Sequence, residues 1–298
     1  MAVKLNRLII IGAGRSGTNM LRDLLVQLEG VATWPCDEIN YVWRHGQKGC
    51  PHDELDPAGV GEGLRAFLDR QFDWVAKRYD AQWVVEKTCA NSLRVPFVEA
   101  VAGPAKYVFL VRDGMDAVAS ALERWKAPLD LGYVLTKARF VPKTDLPYYA
   151  IRYAWQRAYK LVSREKRVSS WGPRYRGMDE DLRTLPLEEV AARQWAACVQ
   201  KAGQPLLGWK SESSSSNEPG VDPSRVHYLR YESFVREPAH HLQALAHFLG
   251  KPLSPSQATT LTQSVSPHSI GKAQKTLTPE QAERVRKIVE TVKIPEEG

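Results

Sequence analysis

The stretch RLIIIGAGRSGTN, residues 7–19, constrains the fold more than any other part of the chain. Residues 8–11 are apolar without polar alternation, the pattern of a strand covered on both faces. Three glycines follow, Gly12, Gly14 and Gly17. Behind them Met20, Leu21, Leu24, Leu25 and Leu28 recur at helical spacing. A buried strand, a glycine turn and an amphipathic helix form the opening of a βα unit. Two chemistries share that opening. As G-x-G-x-x-G it is the fingerprint of a dinucleotide fold. As a phosphate loop, residues 12–18 lack the usual lysine and carry Arg15 and Ser16 in the turn.

The alternation continues. Strands are expected at 83–87 and 106–114, and 226–234 reads as a strand running into a helix. Helices are expected at 17–29, 61–79, 92–102, 115–126, 238–249, 255–264 and 279–292. This order predicts an α/β fold: a P-loop-like, mostly parallel central sheet flanked by helices on both faces. The 298 residues suffice for one large domain. The reading is a single domain, 1–298, with insertions at about 127–186 and 205–224. The net charge of +7 favours an anionic partner. The apolar run 8–11 is too short for a signal core or a membrane span, so the expected location is cytoplasmic. Cys36, Cys50, Cys89 and Cys198 form no C-x-x-C pair and read as free thiols. The spacings of Cys36, His45, Cys50 and His52 match no zinc module, and no metal is expected.

The dinucleotide reading needs a second strand ending in an acid about 20 residues after the loop. Asp37 and Glu38 lie near that distance, but EGVATWPCDE in front of and including them is a poor strand. The phosphate-loop reading accounts for more residues. Gly14 and Gly17 shape a turn that opens a helix, whose first N–H groups and positive dipole end attract anions. Arg15 adds a permanent charge with a planar fork of donors. Ser16, Thr18 and Asn19 add further donors. A Mg²⁺-dependent Walker loop would carry Lys at 18 and Ser or Thr at 19, which disfavours an ATPase or kinase. Glu86, Lys87 and Arg112 lie at strand ends, where α/β folds bind ligands. Ser120 and Arg124, four apart, share a helix face.

Four motifs, GAGRSGTNML, EKT.AN..R.PF, VFLVRDG..AVAS and LRYESFVREP, occur in this order. Together they resemble the sulfotransferases that use 3′-phosphoadenosine 5′-phosphosulfate (PAPS), nearest in style the bacterial and tyrosylprotein-type members. The resemblance implies that residues 15–19 hold the 5′-phosphosulfate. It implies that Arg112 and Ser120 bind the 3′-phosphate and that Arg124 is a further donor-site arginine. Lys272, in HSIGKAQK, matches a lysine that closes over the nucleotide. Lys87 matches the catalytic lysine, acting with Arg15 on the leaving phosphate. PCDEINYVWRHG resembles the segment carrying a glutamate base, which selects Glu38, with Asp37 and then His45 as alternatives. A plainer reading is that Asp37 and Glu38 begin a helix. Tyr231, Glu232 and Trp195 read as structural supports, and Asn91 or Ser92 as lining of the donor pocket.

The implied activity is transfer of a sulfuryl group from PAPS to a hydroxyl or amine acceptor by in-line displacement. Tyr41 stands where tyrosylprotein-type enzymes have an arginine, which argues against protein tyrosine. The acceptor region falls instead on 152–176, with eight Arg or Lys against Glu165 alone and interleaved aromatics. That composition suits a glycan or another anionic molecule, with nucleic acid less favoured as a partner. The alternative class is a non-catalytic nucleotide- or nucleic-acid-binding protein using the same loop and basic segment.

Overall fold

The computed structural model describes residues 5–47, 49–126, 141–142, 144–147, 171–209 and 220–295. Strand β1 (Asn6–Ile11) passes through the glycine turn into α1 (Thr18–Leu25). A two-residue strand β2 (Val31–Ala32), a short helix α2 (Asn40–Trp43) and the long α3 (Glu62–Tyr79) follow. Then come β3 (Trp83–Lys87), α4 (Val95–Ala102), β4 (Lys106–Val111) and α5 (Gly114–Lys126). The second half holds α6 (Met178–Thr184), α7 (Leu187–Leu207), β5 (Val226–Arg230), α8 (Tyr231–Arg236) and α9 (Pro238–Phe248). It closes with α10 (Pro255–Leu261), α11 (Lys272–Thr276) and α12 (Pro279–Val289).

These five strands pair in parallel in the order β2-β3-β1-β4-β5. The order separates the two readings of the glycine turn. In a dinucleotide fold the second strand lies beside the first. Here β3 pairs with β1, from Asn6↔Trp83 to Ile10↔Lys87, and β2 is displaced to the edge. The architecture is α/β and P-loop-like, as the alternation predicted.

Strand alternation divides the core into two layers. Ile9, Ile11, Val84, Tyr107, Phe109 and Val111 face the layer built with α3, α4, α5, α7 and α12. Leu8, Ile10, Val85, Val108, Leu110 and Leu229 face the layer built with α1, α8 and α9. Both faces are buried, which is why β1 and β4 read as unbroken apolar runs.

Several boundaries differ from expectation. The strand running into a helix over 226–234 changes over at Arg230, where β5 ends and Tyr231 begins α8. Tyr231, Phe234 and Val235 are all buried and recur at helical spacing. The helix expected at 92–102 starts at Val95, because Pro96 is tolerated only in a first turn, and Cys89–Leu93 forms a 3₁₀ turn instead. Helix α1 stops at Leu25, and the chain turns through Gly30, at φ +68°, into the unexpected β2. The expected strand 106–114 ends at Val111, and helices expected to 264 and 292 end at Leu261 and Val289. Helix α7 was not foreseen, and α6 lies inside the first proposed insertion. Most of the basic segment 152–176, and residues 210–219 of the second insertion, lie outside the described residues. Among the described residues no helix is long and apolar enough to cross a membrane.

Gly17 is fixed by geometry as well as by motif. Its φ is +89°, and a Cβ there would come within 2.5 Å of the Tyr231 ring. Left-handed backbone costs an L-residue about 1–2 kcal/mol before the clash is counted. Gly17→Ala is therefore expected to lose about 2 kcal/mol or more in urea unfolding. Unchanged stability would show that Tyr231 does not press on this turn.

Candidate active site

Because the strands are parallel, their carboxyl ends gather at one edge, where open α/β sheets bind ligands. The glycine turn leaves β1 there, Lys87 ends β3, Arg112 follows β4 and Tyr231 follows β5. Within the turn, Arg15 and Gly17 both have positive φ, +70° and +89°. The Ser16 N–H closes the turn onto the Ala13 carbonyl at 3.2 Å. Helix α1 has no side-chain cap, so its first N–H groups and its positive end face the turn. The Ser16 hydroxyl is buried and has no hydrogen-bond partner among the described residues. Asn19 is exposed, and the buried Thr18 hydroxyl lies 3.7 Å from Cys89 Sγ. Above Gly14 the Trp171 indole leaves little room: a Cβ would meet it at 3.2 Å.

Three guanidinium groups converge on this turn. Arg112 is 4 % exposed. It donates to the Arg15 carbonyl at 3.0 Å and to the Ser269 carbonyl at 2.6 Å, and lies 4.6 Å over the Tyr231 ring. Its Nε has no partner. Arg15 Nε donates to Ser120 Oγ at 3.0 Å. Partial burial, Arg124 and Arg112 hold Arg15 below the ordinary arginine range. Arg124 is exposed one turn beyond Ser120. Among the described residues no carboxylate makes an ion pair with Arg112 or Arg15. A surface ion pair of Arg112 with Asp113 or Asp116 is thereby excluded. Asp116 instead accepts the N–H groups of Gly271 (2.7 Å) and Ala273 (2.9 Å), anchoring α11 against α5. Lys272 is thus brought to α5, where it pairs with Glu123 at 2.6 Å.

The second cluster is acidic. Lys87 Nζ, 2 % exposed in its side chain, contacts Asp37 Oδ1 at 3.1 Å and Glu38 Oε1 at 3.0 Å. Burial would lower the ammonium pKa, but Cys89, Glu38 and Asp37 outweigh it and hold Lys87 above the lysine range. Glu38 Oε1 also accepts the Cys89 N–H at 3.3 Å. Asp37 is shared with Arg22, whose NH1 lies 3.1 Å from both its carboxylate and its carbonyl. Arg22 was not singled out from the sequence, although it stands one helical turn after Thr18. The pair Asp37–Glu38 precedes α2, as the plainer reading had it, but both side chains are committed to Lys87. His45 stands apart from this cluster in its contacts: it pairs with buried Asp145 at 2.8 Å and stacks on Phe67.

Glu86 points to the other face of β3. It is 1 % exposed, and burial pushes its carboxyl up to about 7 against the pull of Thr88 and Lys87. Thr88 and Asn91 donate to its two oxygens. Arg94 links Asn91 to Asn40 and, through Asn40, to Asp53. Asn91 and Ser92 are fully buried, Asn91 within this support and Ser92 donating to the Cys89 carbonyl at 2.5 Å.

Residues 7–130 match the model of the sulfotransferase family. The fold is similar to a sulfotransferase domain from the curacin biosynthetic pathway, at 15% identity and a TM-score of 0.52, covering 98% of this chain and 99% of that one. It is also similar to a sulfotransferase from Mycobacterium avium, at 13% identity and a TM-score of 0.51, covering 100% and 79%. No curated protein matches the chain in sequence. Residues 7–130, which hold three of the four motifs, match that family model, and the fold is similar to those of the two sulfotransferases.

The Glu86 carboxyl predicts a pH effect with a definite sign. Its folded pKa lies near 7, above the ordinary 4.5. Between those values the unfolded chain releases the proton while the folded chain keeps it, so stability falls as pH rises. Glu86→Gln lacks this titration. Its stability relative to wild type should therefore rise by roughly 3 kcal/mol between pH 4.5 and 7, read from urea unfolding. A difference independent of pH would show that folding does not raise the Glu86 pKa.

Proposed function

We propose that the chain transfers the sulfuryl group of PAPS to a hydroxyl or amine acceptor by in-line displacement at sulfur. One observation carries this reading: a buried Arg112 guanidinium without a carboxylate partner among the described residues, beside Arg15, Ser120 and Arg124. A buried cation without a counter-ion is costly, and a 3′-phosphate supplies that counter-ion. On the other side of the turn, the Ser16 hydroxyl and the N–H groups opening α1 are donors suited to a 5′-phosphosulfate. Gly14, Gly17, Thr18 and Asn19 complete that cradle, and Lys272 borders the nucleotide side.

The transfer requires positioning, charge stabilisation and a proton acceptor. Glu38 takes the acceptor's proton as the O–S or N–S bond forms. Lys87 and Arg15 neutralise the phosphate that leaves as adenosine 3′,5′-bisphosphate (PAP). The Lys87–Glu38 contact couples these steps. When Glu38 accepts the proton its charge disappears, and the Lys87 ammonium is free to turn toward the leaving oxygen. Asp37 is held between Arg22 and Lys87 and steadies the lysine. The acceptor class we favour is a carbohydrate or another anionic molecule met by the 152–176 segment. Labelled PAPS offered with glycans, phenols and lipids identifies it. The location we favour is cytoplasmic.

PAP is expected to raise the melting temperature well above the effect of NAD or ATP–Mg²⁺. Arg112→Ala should weaken PAP binding by about 2–4 kcal/mol. Equal stabilisation by ATP, or normal affinity in that variant, would remove the 3′-phosphate site.

Glu38→Gln tests the base. It keeps the shape and cannot take a proton, so kcat should fall by about 10² to 10⁴ with PAP affinity unchanged. If Asp37→Asn shows that loss and Glu38→Gln does not, the neighbouring carboxylate is the base.

A further inference from the structure

We propose that Thr88, held by buried Glu86, is a positioning residue that fixes the backbone carrying Asp37 and Glu38 opposite Lys87. Its kinetic consequence rests on the reading of Glu38 as the base; its structural part does not. A threonine hydroxyl has one proton to donate and lone pairs to accept with. Thr88 Oγ1 donates to Glu86 Oε1 at 2.5 Å and accepts the Ile39 N–H at 3.2 Å. One hydroxyl thus ties the end of β3 to the residue that follows Glu38.

The direction of these bonds is set from behind. Arg94 Nε donates to Asn91 Oδ1 at 2.9 Å. Arginine has no acceptor, so the Asn91 amide must present its NH₂ to Glu86 Oε2, also at 2.9 Å. In its ionised form, above a pKa of about 7, Glu86 therefore receives a donor on each oxygen, and the Thr88 proton is then committed to it. The Thr88 lone pairs remain for Ile39. Arg94 NH2 also donates to Asn40 Oδ1 at 2.6 Å, one residue beyond Ile39. The segment is gripped at Ile39 through its backbone and at Asn40 through its side chain.

Residues 86–89 thereby divide two tasks. Lys87 Nζ and the Cys89 N–H touch the Glu38 carboxylate itself. Glu86 and Thr88, on the alternate positions, hold the backbone on which that carboxylate is mounted. Removing the hydroxyl strands a buried N–H and loosens this mount. Misplacement of a reacting group by about 1 Å can cost on the order of 10²-fold in rate.

The test compares Thr88→Val, Thr88→Ser and Glu86→Gln in the full chain. The readouts are amide hydrogen exchange of residues 37–44 and turnover of PAPS to PAP. Thr88→Val keeps the volume and loses the hydroxyl; Thr88→Ser keeps the hydroxyl. In Thr88→Val, exchange at Ile39 should rise about tenfold with the strands unchanged, as expected for one lost buried hydrogen bond. PAPS turnover should fall about tenfold to a hundredfold at an unchanged KM for PAPS, and Thr88→Ser should restore both. Wild-type exchange at Ile39 in Thr88→Val overturns the proposal. So does an equal loss of kcat and PAP affinity in the Val and Ser variants, which marks a general structural role. Should Thr88→Val not fold, Glu86→Gln carries the exchange comparison with the same two outcomes. A wild-type chain that neither binds PAP nor turns over PAPS ends the donor reading, while the exchange arm still decides the grip on Ile39.

Discussion

A buried arginine with no carboxylate beside it among the described residues must be held by dipoles, and Arg112 organises the molecule in this way. Its two terminal nitrogens engage the carbonyls of Arg15 and Ser269, which joins the turn after β1 to the turn before α11. The Tyr231 ring lies against its guanidinium and also packs on Gly17. Its own carbonyl accepts the Trp195 indole N–H at 3.2 Å, which fastens α7 to the end of β4. Four separate parts of the chain therefore meet at one positive charge that no carboxylate among the described residues pairs. Carbonyl dipoles stabilise a cation less than an opposite full charge does. The unmet part of that stabilisation is what an anionic ligand would contribute in the proposed site, at the same residue that joins the edge of the sheet.

The end of β3 shows how a strand can serve two chemistries at once. Alternation sends Lys87 to the face of α1 and Glu86 to the opposite layer. On the first face the buried ammonium is paired with two carboxylates that remain partly exposed. Removing those partners would leave a charge in the interior, which is far costlier than the pair itself is favourable. On the second face Glu86, Arg94, Arg44 and Asp53 form a hydrogen-bonded network. Burial, followed by Arg44, draws Arg94 down to about 10, still charged near neutrality. Arg94 and Arg44 keep Asp53 ionised despite its burial. The network supports the loop; the lysine and its carboxylates face outward from it.

Legibility in the sequence followed the range over which each feature acts. The runs at 8–11 and 107–111 are written locally, because both faces of each strand are buried. The glycine turn is legible for the same reason, as adjacent residues enforce it. Arg112, Ser120 and Lys87 could be found because they belong to motifs at strand ends. Helix α7 was hidden by its flanks, Pro186 and the internal Pro205, and by an alanine-rich buried face that gives weak periodicity. Strand β2 is two residues long and carries no pattern of its own. The roles of Arg22 and Thr88 depend on partners 15 and 49 residues away, so neither spacing nor composition could announce them. Lys272 was matched by motif alone, which could not reveal that Glu123 would be its partner.

The two halves of the candidate site meet at Cys89, and its chemistry bears on the kind of reaction the geometry favours. Thr18, at the start of α1, approaches its sulfur, and its N–H serves Glu38. A thiol between the glycine turn and a carboxylate could suggest a covalent relay in which sulfur first accepts the transferring group. Nucleophilic cysteines, however, need a lowered pKa and some exposure. Burial, and then the nearby Glu38 carboxylate, push the Cys89 thiol upward, and Lys87 does not reverse that. A neutral, buried thiol is a poor nucleophile and a good spacer. The residue contributes its backbone N–H to Glu38 and its volume to the packing between α1 and β3. The single displacement proposed above, with Glu38 as base and Lys87 on the leaving group, would need nothing further from it.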